Sequence, residues 1–332
     1  MSAVSGTAQA QVPTAYLEPS PLKRKPRRAE RLAEFVLRAV ALTSIAAIVL
    51  ILVFVAREAL PILTSSEVQR EVTASSMVTP LSLPDGTTTF AWQPVSEVPK
   101  YSIVPLFVGT LKVTAIALLI AAPISIAAAV YVSEFAKRKQ REIIKPVIEL
   151  LAGIPSVVVG FFALIVLASW VQSTFGTEHR LNALVAGIGL SLAVCPLVFT
   201  VSEDALRAVP DSYRTAALAL GSDRFQMIMR VVLPAAMPGI FASLVLGMGR
   251  AIGETMIVVL ASGNAALVSG SIGVSTRTIT ATIAQELGEV VVGSPHYHVL
   301  FALGAILFAS TFVLNFMGER VIDGLRRKLG MI

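Results

Sequence analysis

The sequence predicts an all-α integral membrane protein with six transmembrane helices and both the N- and C-termini cytoplasmic. Composition is the first observation: 55% of the 332 residues are hydrophobic and 14% charged, which excludes an ordinary soluble domain. The second is a set of six apolar runs, at 39–56, 113–132, 147–170, 181–201, 238–260 and 299–317. Each approaches the roughly 20 residues needed to cross a hydrocarbon core of about 30 Å. The third is the placement of the 27 Lys and Arg residues. Counting from a cytoplasmic start, the inner segments hold seven up to position 38, five over 137–145, four over 207–230 and four over 320–328. The outer segments hold only Arg57, Arg70, Lys100, Arg180 and Arg277. That asymmetry follows the positive-inside rule in every loop. Lys112, at the edge of the second span, and Arg250, within the fifth, are left over.

Taken in order, residues 1–30 are expected to form a disordered basic cytoplasmic N-terminus, polar and rich in small residues and proline. Its "KRKPRRAER" adjoins the first span, so it reads as a topology signal rather than a nucleic-acid patch. No small-residue cleavage site follows, and the first helix is expected to be retained. Residues 31–103 hold that helix and a long extracytoplasmic loop. Within it, "PLSLPDGTTTFAWQPV" sets Asp85-Gly86 between apolar and Thr-rich runs, a hairpin signal. A second long outer loop, 264–298, contains "STRTITATIAQELGEVV", spaced for a short amphipathic helix. Such loops either dock an external protein or only cover the helix ends. A core at 104–320 and a cytoplasmic tail at 321–332 complete the layout.

The inner segment 202–236 reads "EDALRAVPDSYRTAALALGSDRFQMIMRVVLP", with Pro210 and Gly221 as breakers. The pattern is helix–turn–helix, with "FQMIMRVVL" as an amphipathic second piece. Two short paired helices between spans offer a knob to a cytoplasmic partner.

The fifth run contains "GMGRAIGETMIVVLASGN", starting at Gly247. Measured from Pro238 at 1.5 Å per residue, Arg250 lies about 18 Å along a continuous helix and Glu254 about 24 Å. A charge at mid-bilayer costs about 2.5–3.5 kcal/mol on insertion scales and usually faces protein or water. Gly249 and Gly253 make a G-x-x-x-G stripe expected to allow close helix packing. Gly153 and Pro155, in "AGIPS", either loosen the third span near a pathway or serve plain packing. The charges themselves line a pathway, neutralise each other at i,i+4, or pair with a partner chain.

Enzymatic chemistry finds no support. There is one cysteine, Cys195, and three histidines, with no nucleophile–base–orienter set and no catalytic residue to name. His296 and His298 lack further ligands nearby, so no metal site is expected. No Gly-Lys pair occurs, which removes the P-loop and leaves ATP hydrolysis to a separate chain.

The spacing A-A-x3-G-x9-V-x-L-P, carried by Ala216, Ala217, Gly221, Val231, Leu233 and Pro234, resembles the coupling-loop signature of binding-protein-dependent ABC importer permeases. Thr215 stands where that pattern usually has Glu. "GTLKVTAIALLIAAPISIAAAVYVSEFA", from Gly109, is similar to the opening of the permease core. "ELLAGIPSVVVGFFAL", from Glu149, and "GRAIGETMIVVLASGN" resemble the phosphate-specific subgroup, in wording closer to its PstC-type than its PstA-type chains. The resemblance covers roughly 104–320. It implies a type I ABC importer permease fold in the bacterial inner membrane and a second, PstA-type permease. It also implies two ATPase subunits carrying ATP and magnesium, and an extracytoplasmic phosphate-binding protein. No cofactor and no nucleic acid would belong to this chain.

With inorganic phosphate as substrate, Arg250 would donate two parallel hydrogen bonds to two phosphate oxygens. Glu254 would accept one from a protonated oxygen, which sulfate lacks, or hold Arg250 between substrates. Another oxyanion, molybdate or sulfate, is the alternative cargo. A stand-alone secondary transporter is the alternative class, but the inverted repeats it predicts are not evident.

Overall fold

The computed structural model of the chain describes residues 28–82 and 88–328. The basic segment up to position 27, the Asp85-Gly86 turn and the last four residues lie outside the described residues. Six helical stretches among the described residues are long and apolar enough to cross a membrane. They are Arg31–Thr64, Val104–Phe135, Ser156–Phe175, Ala183–Arg207, Arg224–Gly253 and Pro295–Lys328.

The first stretch joins α1 (Arg28–Ala59) to a short α2 (Pro61–Thr64), and α3 (Ser66–Glu71) follows. Next come two small antiparallel pairs, β1 (Leu81–Ser82) with β2 (Thr88–Thr89) and β3 (Trp92–Gln93) with β4 (Lys100–Tyr101). Leu81 faces Thr89 across the first pair, and Ser82 faces Thr88. The second span is α4 (Val104–Val130), extended by one wide turn, Tyr131–Phe135, in which the Ala136 N–H donates to the Tyr131 carbonyl at 2.8 Å.

The third run divides, contrary to the single span expected at 147–170. An amphipathic α5 (Arg138–Ala152) ends before Gly153, and α6 (Ser156–Phe162), a wide turn at Ala163–Leu167 and α7 (Ala168–Phe175) make the span. Pro155 causes the break: it has no N–H for a helical bond and drives the preceding residue out of the α region.

The fourth span is α8 (Ala183–Arg207), capped by the Asn182 side chain, which accepts from the Val185 N–H at 3.0 Å. Then come α9 (Asp211–Ala219) and α10 (Arg224–Met227), a wide turn at Ile228–Val232, and α11 (Leu233–Gly253). "FQMIMRVVL" is therefore the opening of the fifth span rather than a separate helix. A short α12 (Met256–Ala261) follows α11, α13 (Ile279–Glu286) is the amphipathic helix expected in the 264–298 loop, and α14 (Pro295–Lys328) is the last span.

α4, α8 and α11 meet in the buried core, where Val113 and Ala117 of α4 join Leu190 and Val194 of α8 and Ala251 of α11. Lipid supplies no hydrophobic drive between helices, so their approach depends on small residues. Gly187 is the tightest such point between α8 and α4. A Cβ there would lie 2.4 Å from the Ile116 Cγ2. Gly187→Val is expected to destabilise the protein by about 1–3 kcal/mol through overpacking. A lowered thermal midpoint in detergent would register this, whereas Gly270→Ala, with nothing within 4 Å of its added Cβ, should leave the midpoint unchanged.

Candidate functional site: a charge-anchored connector and an arginine cleft

The connector between the fourth and fifth spans is built by local backbone chemistry. α9 ends at Gly221, whose φ of +84° suits a residue without a Cβ. The Gly221 N–H donates to the Leu218 carbonyl at 3.0 Å and the Ser222 N–H to Ala217 at 3.2 Å, closing the helix end. Asp223 then caps α10: its carboxylate accepts from the Gln226 N–H at 2.8 Å, and the Gln226 side chain accepts from the Asp223 N–H at 3.3 Å. Pro234 falls in the first turn of α11, where a missing N–H is harmless. Ala217 is buried, Val231 and Leu233 are half-buried, and Thr215 and Ala216 are exposed. The Thr215 hydroxyl donates within its own helix, to the Asp211 and Ser212 carbonyls. Leu218, Leu220 and Phe225 form an uncovered apolar edge beside it, with Leu220 88% exposed.

Two buried carboxylates, neither singled out in the sequence, hold this end of the molecule. Glu134, at the end of the second span, accepts from Arg214 of α9 at 2.8 Å and 3.3 Å. Arg214 also donates to the Val209 and Leu206 carbonyls at 2.6 Å and 2.9 Å, and Arg224 donates to the Glu134 carbonyl. The hydrogen bonds to Glu134 hold Arg214 above its usual pKa. Glu203, in the last turns of α8, has no exposed side-chain surface and pairs with Arg141 at 2.8 Å and Lys145 at 2.7 Å, both on α5. The bond to Glu203 raises the Lys145 pKa.

Arg250 projects from the last turn of α11 into a cleft of about 260 Å³. Its Nε donates to the Ala193 carbonyl of α8 at 3.3 Å. Glu149 and Ala152 of α5, and Pro196 and Thr200 of α8, share the cleft walls.

Glu254 does not sit one helical turn above Arg250. α11 stops at Gly253, and the Glu254 backbone is extended, with φ −70° and ψ 132°. The reason lies in α13: the Thr280 hydroxyl donates to the Glu254 carbonyl at 2.9 Å, replacing the helical bond it would otherwise accept. Among the described residues, neither Arg250 nor Glu254 enters an ion pair. Among the described residues, a Cβ on Gly249 would touch only Asn315, at 3.8 Å, and one on Gly253 nothing within 4 Å. Gly153 and Pro155 mark the hinge between α5 and α6.

At the opposite end, Glu286 of α13 gathers the two long loops. It accepts from the Trp92 Nε1 at 3.0 Å and pairs with Arg277 at 2.6 Å and His296 at 3.2 Å. Burial and a hydrogen bond donated to Glu71 push the Tyr101 hydroxyl pKa upward. Among the described residues, no group of three or more His, Cys, Asp or Glu side chains is placed to hold a metal.

Residues 121–329 match the family of binding-protein-dependent transport system inner membrane components. The chain belongs to that family. It is 37% identical over 228 residues to a probable ABC transporter permease, YqgH, of Bacillus subtilis (strain 168), spanning 68% of this chain and 73% of that protein. It is also 37% identical over 246 residues to the phosphate transport system permease protein PstC of Mesorhizobium japonicum, spanning 68% and 74%. Among solved structures it resembles a bacterial alginate ABC transporter chain, with a TM-score of 0.57 and 17% identity over 90% of this chain and 96% of that one. A chain of the MetNI methionine ABC transporter gives 0.51 and 16% over 67% and 94%. The fold is that of a type I ABC importer permease, and the 209-residue match spans both the connector and the Arg250 cleft.

In this permease the position of α5 beside α8 depends on buried charge. Glu203→Ala is expected to cost about 1.5–3 kcal/mol, the range for hydrogen bonds to charged groups. Glu142→Ala, which breaks only the exposed pair with Arg138, should cost under about 1 kcal/mol. Thermal unfolding of the two detergent-solubilised variants would check the difference.

Proposed function

We propose that this chain is the PstC-type permease subunit of an ABC importer that carries inorganic phosphate across the bacterial inner membrane. The observation that carries this reading is Arg250, a cation within a membrane span that opens onto a polar-edged cleft. It lies in a chain 37% identical to a phosphate transport system permease. A guanidinium binds two oxygens of a tetrahedral anion through parallel, charge-assisted hydrogen bonds. In this reading Arg250 is a transient phosphate ligand. Glu254, at the break between α11 and α12, is a second pathway residue on the side away from the connector.

In this reading the connector and both termini are cytoplasmic, from the positive-inside distribution of Lys and Arg in the sequence. There Thr215, Ala216, Ala217, Gly221, Val231, Leu233 and Pro234 form the part that meets one of two ATPase subunits, which supply ATP and magnesium chemistry. The exposed Leu218, Leu220 and Phe225 suit burial against such a partner. On the outer face, the loops tied together at Glu286 suit docking of an extracytoplasmic phosphate-binding protein, and a PstA-type permease completes the pathway. This chain breaks no bond itself; it moves cargo while its partners hydrolyse ATP.

ATP-driven uptake of labelled phosphate into vesicles holding the assembled importer tests the reading. Arg250→Gln is expected to lower uptake about 10- to 100-fold, matching about 1.5–3 kcal/mol for hydrogen bonds to a charged group. Undiminished uptake, or a wild-type complex that carries molybdate or sulfate and not phosphate, would overturn it.

A further inference from the structure

α5 carries a charged stripe at helical spacing: Arg141, Lys145 and Glu149, each four residues after the last. The first two members are fixed. Arg141 and Lys145 both bind Glu203, which is wholly buried on α8. Pinning two successive turns of one face against α8 sets the direction of the third. Glu149 accordingly stands against the same side of α8, on the wall of the Arg250 cleft beside Thr200. The hinge at Gly153 and Pro155 makes this possible, because it frees α5 from the line of the third span.

Glu149 and Arg250 share the cleft, and among the described residues they form no ion pair with each other. The space is about 260 Å³, room enough for a tetrahedral oxyanion in the same cleft as both charges. A cation alone would bind any such anion. A carboxylate in the same cleft repels an anion without protons, yet accepts a hydrogen bond from one that carries an acidic hydroxyl. Phosphate keeps at least one proton near neutral pH, and sulfate keeps none.

We propose that Glu149 is the specificity-determining residue of the Arg250 site, accepting a hydrogen bond from the P–OH of bound phosphate. Arg250 donates to two unprotonated oxygens, and Thr200, which lines the same cleft, donates its hydroxyl to another. Discrimination against sulfate then comes from an unrelieved repulsion rather than from a better fit to phosphate. This inference rests on the phosphate reading of the site and moves the proton-sensing role from Glu254 to Glu149.

The test uses the assembled importer in vesicles, with labelled phosphate as substrate and sulfate as competitor. Glu149→Gln is expected to raise the KM for phosphate at least tenfold. It should also lower the sulfate concentration that halves uptake by at least tenfold, because an amide can donate to an unprotonated oxygen. Glu149→Asp should keep sulfate excluded, and Glu142→Gln, exposed on the same helix, should behave as wild type. Thermal protection of the purified complex by phosphate or by sulfate gives a second readout that needs no transport. There, Glu149→Gln should gain protection by sulfate. Unchanged KM with sulfate still excluded, or loss of maximal rate alone with no gain of sulfate binding, would overturn the proposal. A wild-type complex that takes up no phosphate, or an Arg250→Gln variant with full uptake, would instead bring down the phosphate reading, and this inference with it.

Discussion

A carboxylate sealed from solvent, Glu203, is the constraint on which the rest of the basic end depends. An unpaired charge in such a place is strongly unfavourable, so its partners must stay. Arg141 and Lys145 meet it from α5, and Arg207 lies 3.7 Å away on its own helix. α5 has no fully buried residue, and only Ile144 and Ile148, half-buried, pack it against the core. The ion pairs to Glu203 add to that packing and fix which way the charged stripe faces, Glu149 included. Glu134 does the same for the connector through Arg214, binding α9 to the end of the second span. Apolar packing assembles the spans, and charge positions the parts beside them.

The spans themselves are segmented. Wide turns at Tyr131–Phe135, Ala163–Leu167 and Ile228–Val232, and breaks at Gly153–Pro155 and at Glu254, divide the second, third and fifth spans. Each wide turn leaves backbone groups out of the regular ladder, and such turns cluster at functional sites. Two of these features adjoin the buried carboxylates: Glu134 lies within the first wide turn, and the connector enters the fifth span through the third. A displacement of α9 therefore reaches α4 through an ion pair and α11 through a softened helical turn. That arrangement suits a mechanical connector better than a continuous helix would.

The spans were legible in the sequence because about 20 apolar residues have few alternatives to crossing a bilayer, and Pro210 and Gly221 announced the breaks in the connector by their own backbone chemistry. What was not legible depended on contacts distant in sequence. Val147, Ile148, Leu150 and Leu151 extended the third apolar run back into α5, and only Pro155 marked the break. The end of α11 at Glu254 depends on the Thr280 hydroxyl, 26 residues further on. The stripe Arg141, Lys145, Glu149 is visible in the sequence, but its meaning comes from Glu203, about sixty positions away and hidden at the end of an apolar run. Arg250 stands out in the sequence as a charge inside an apolar run, whereas Glu134 and Glu203 lie at the ends of such runs, where charge is ordinary.

Arg250 remains the most exposed commitment of the chain. It lies on the accessible side of α11, it donates a hydrogen bond to the Ala193 carbonyl, and among the described residues no carboxylate pairs with it. A cation in that position is tolerable only beside water, an anion or another protein. Glu149 and Thr200 keep one wall of its cleft polar, which favours water when no anion is present. The cost of keeping Arg250 unpaired thus depends on where α5 holds Glu149, and that in turn depends on Glu203. A charge at the membrane edge, by fixing one helix, sets the environment of a charge deeper within the membrane.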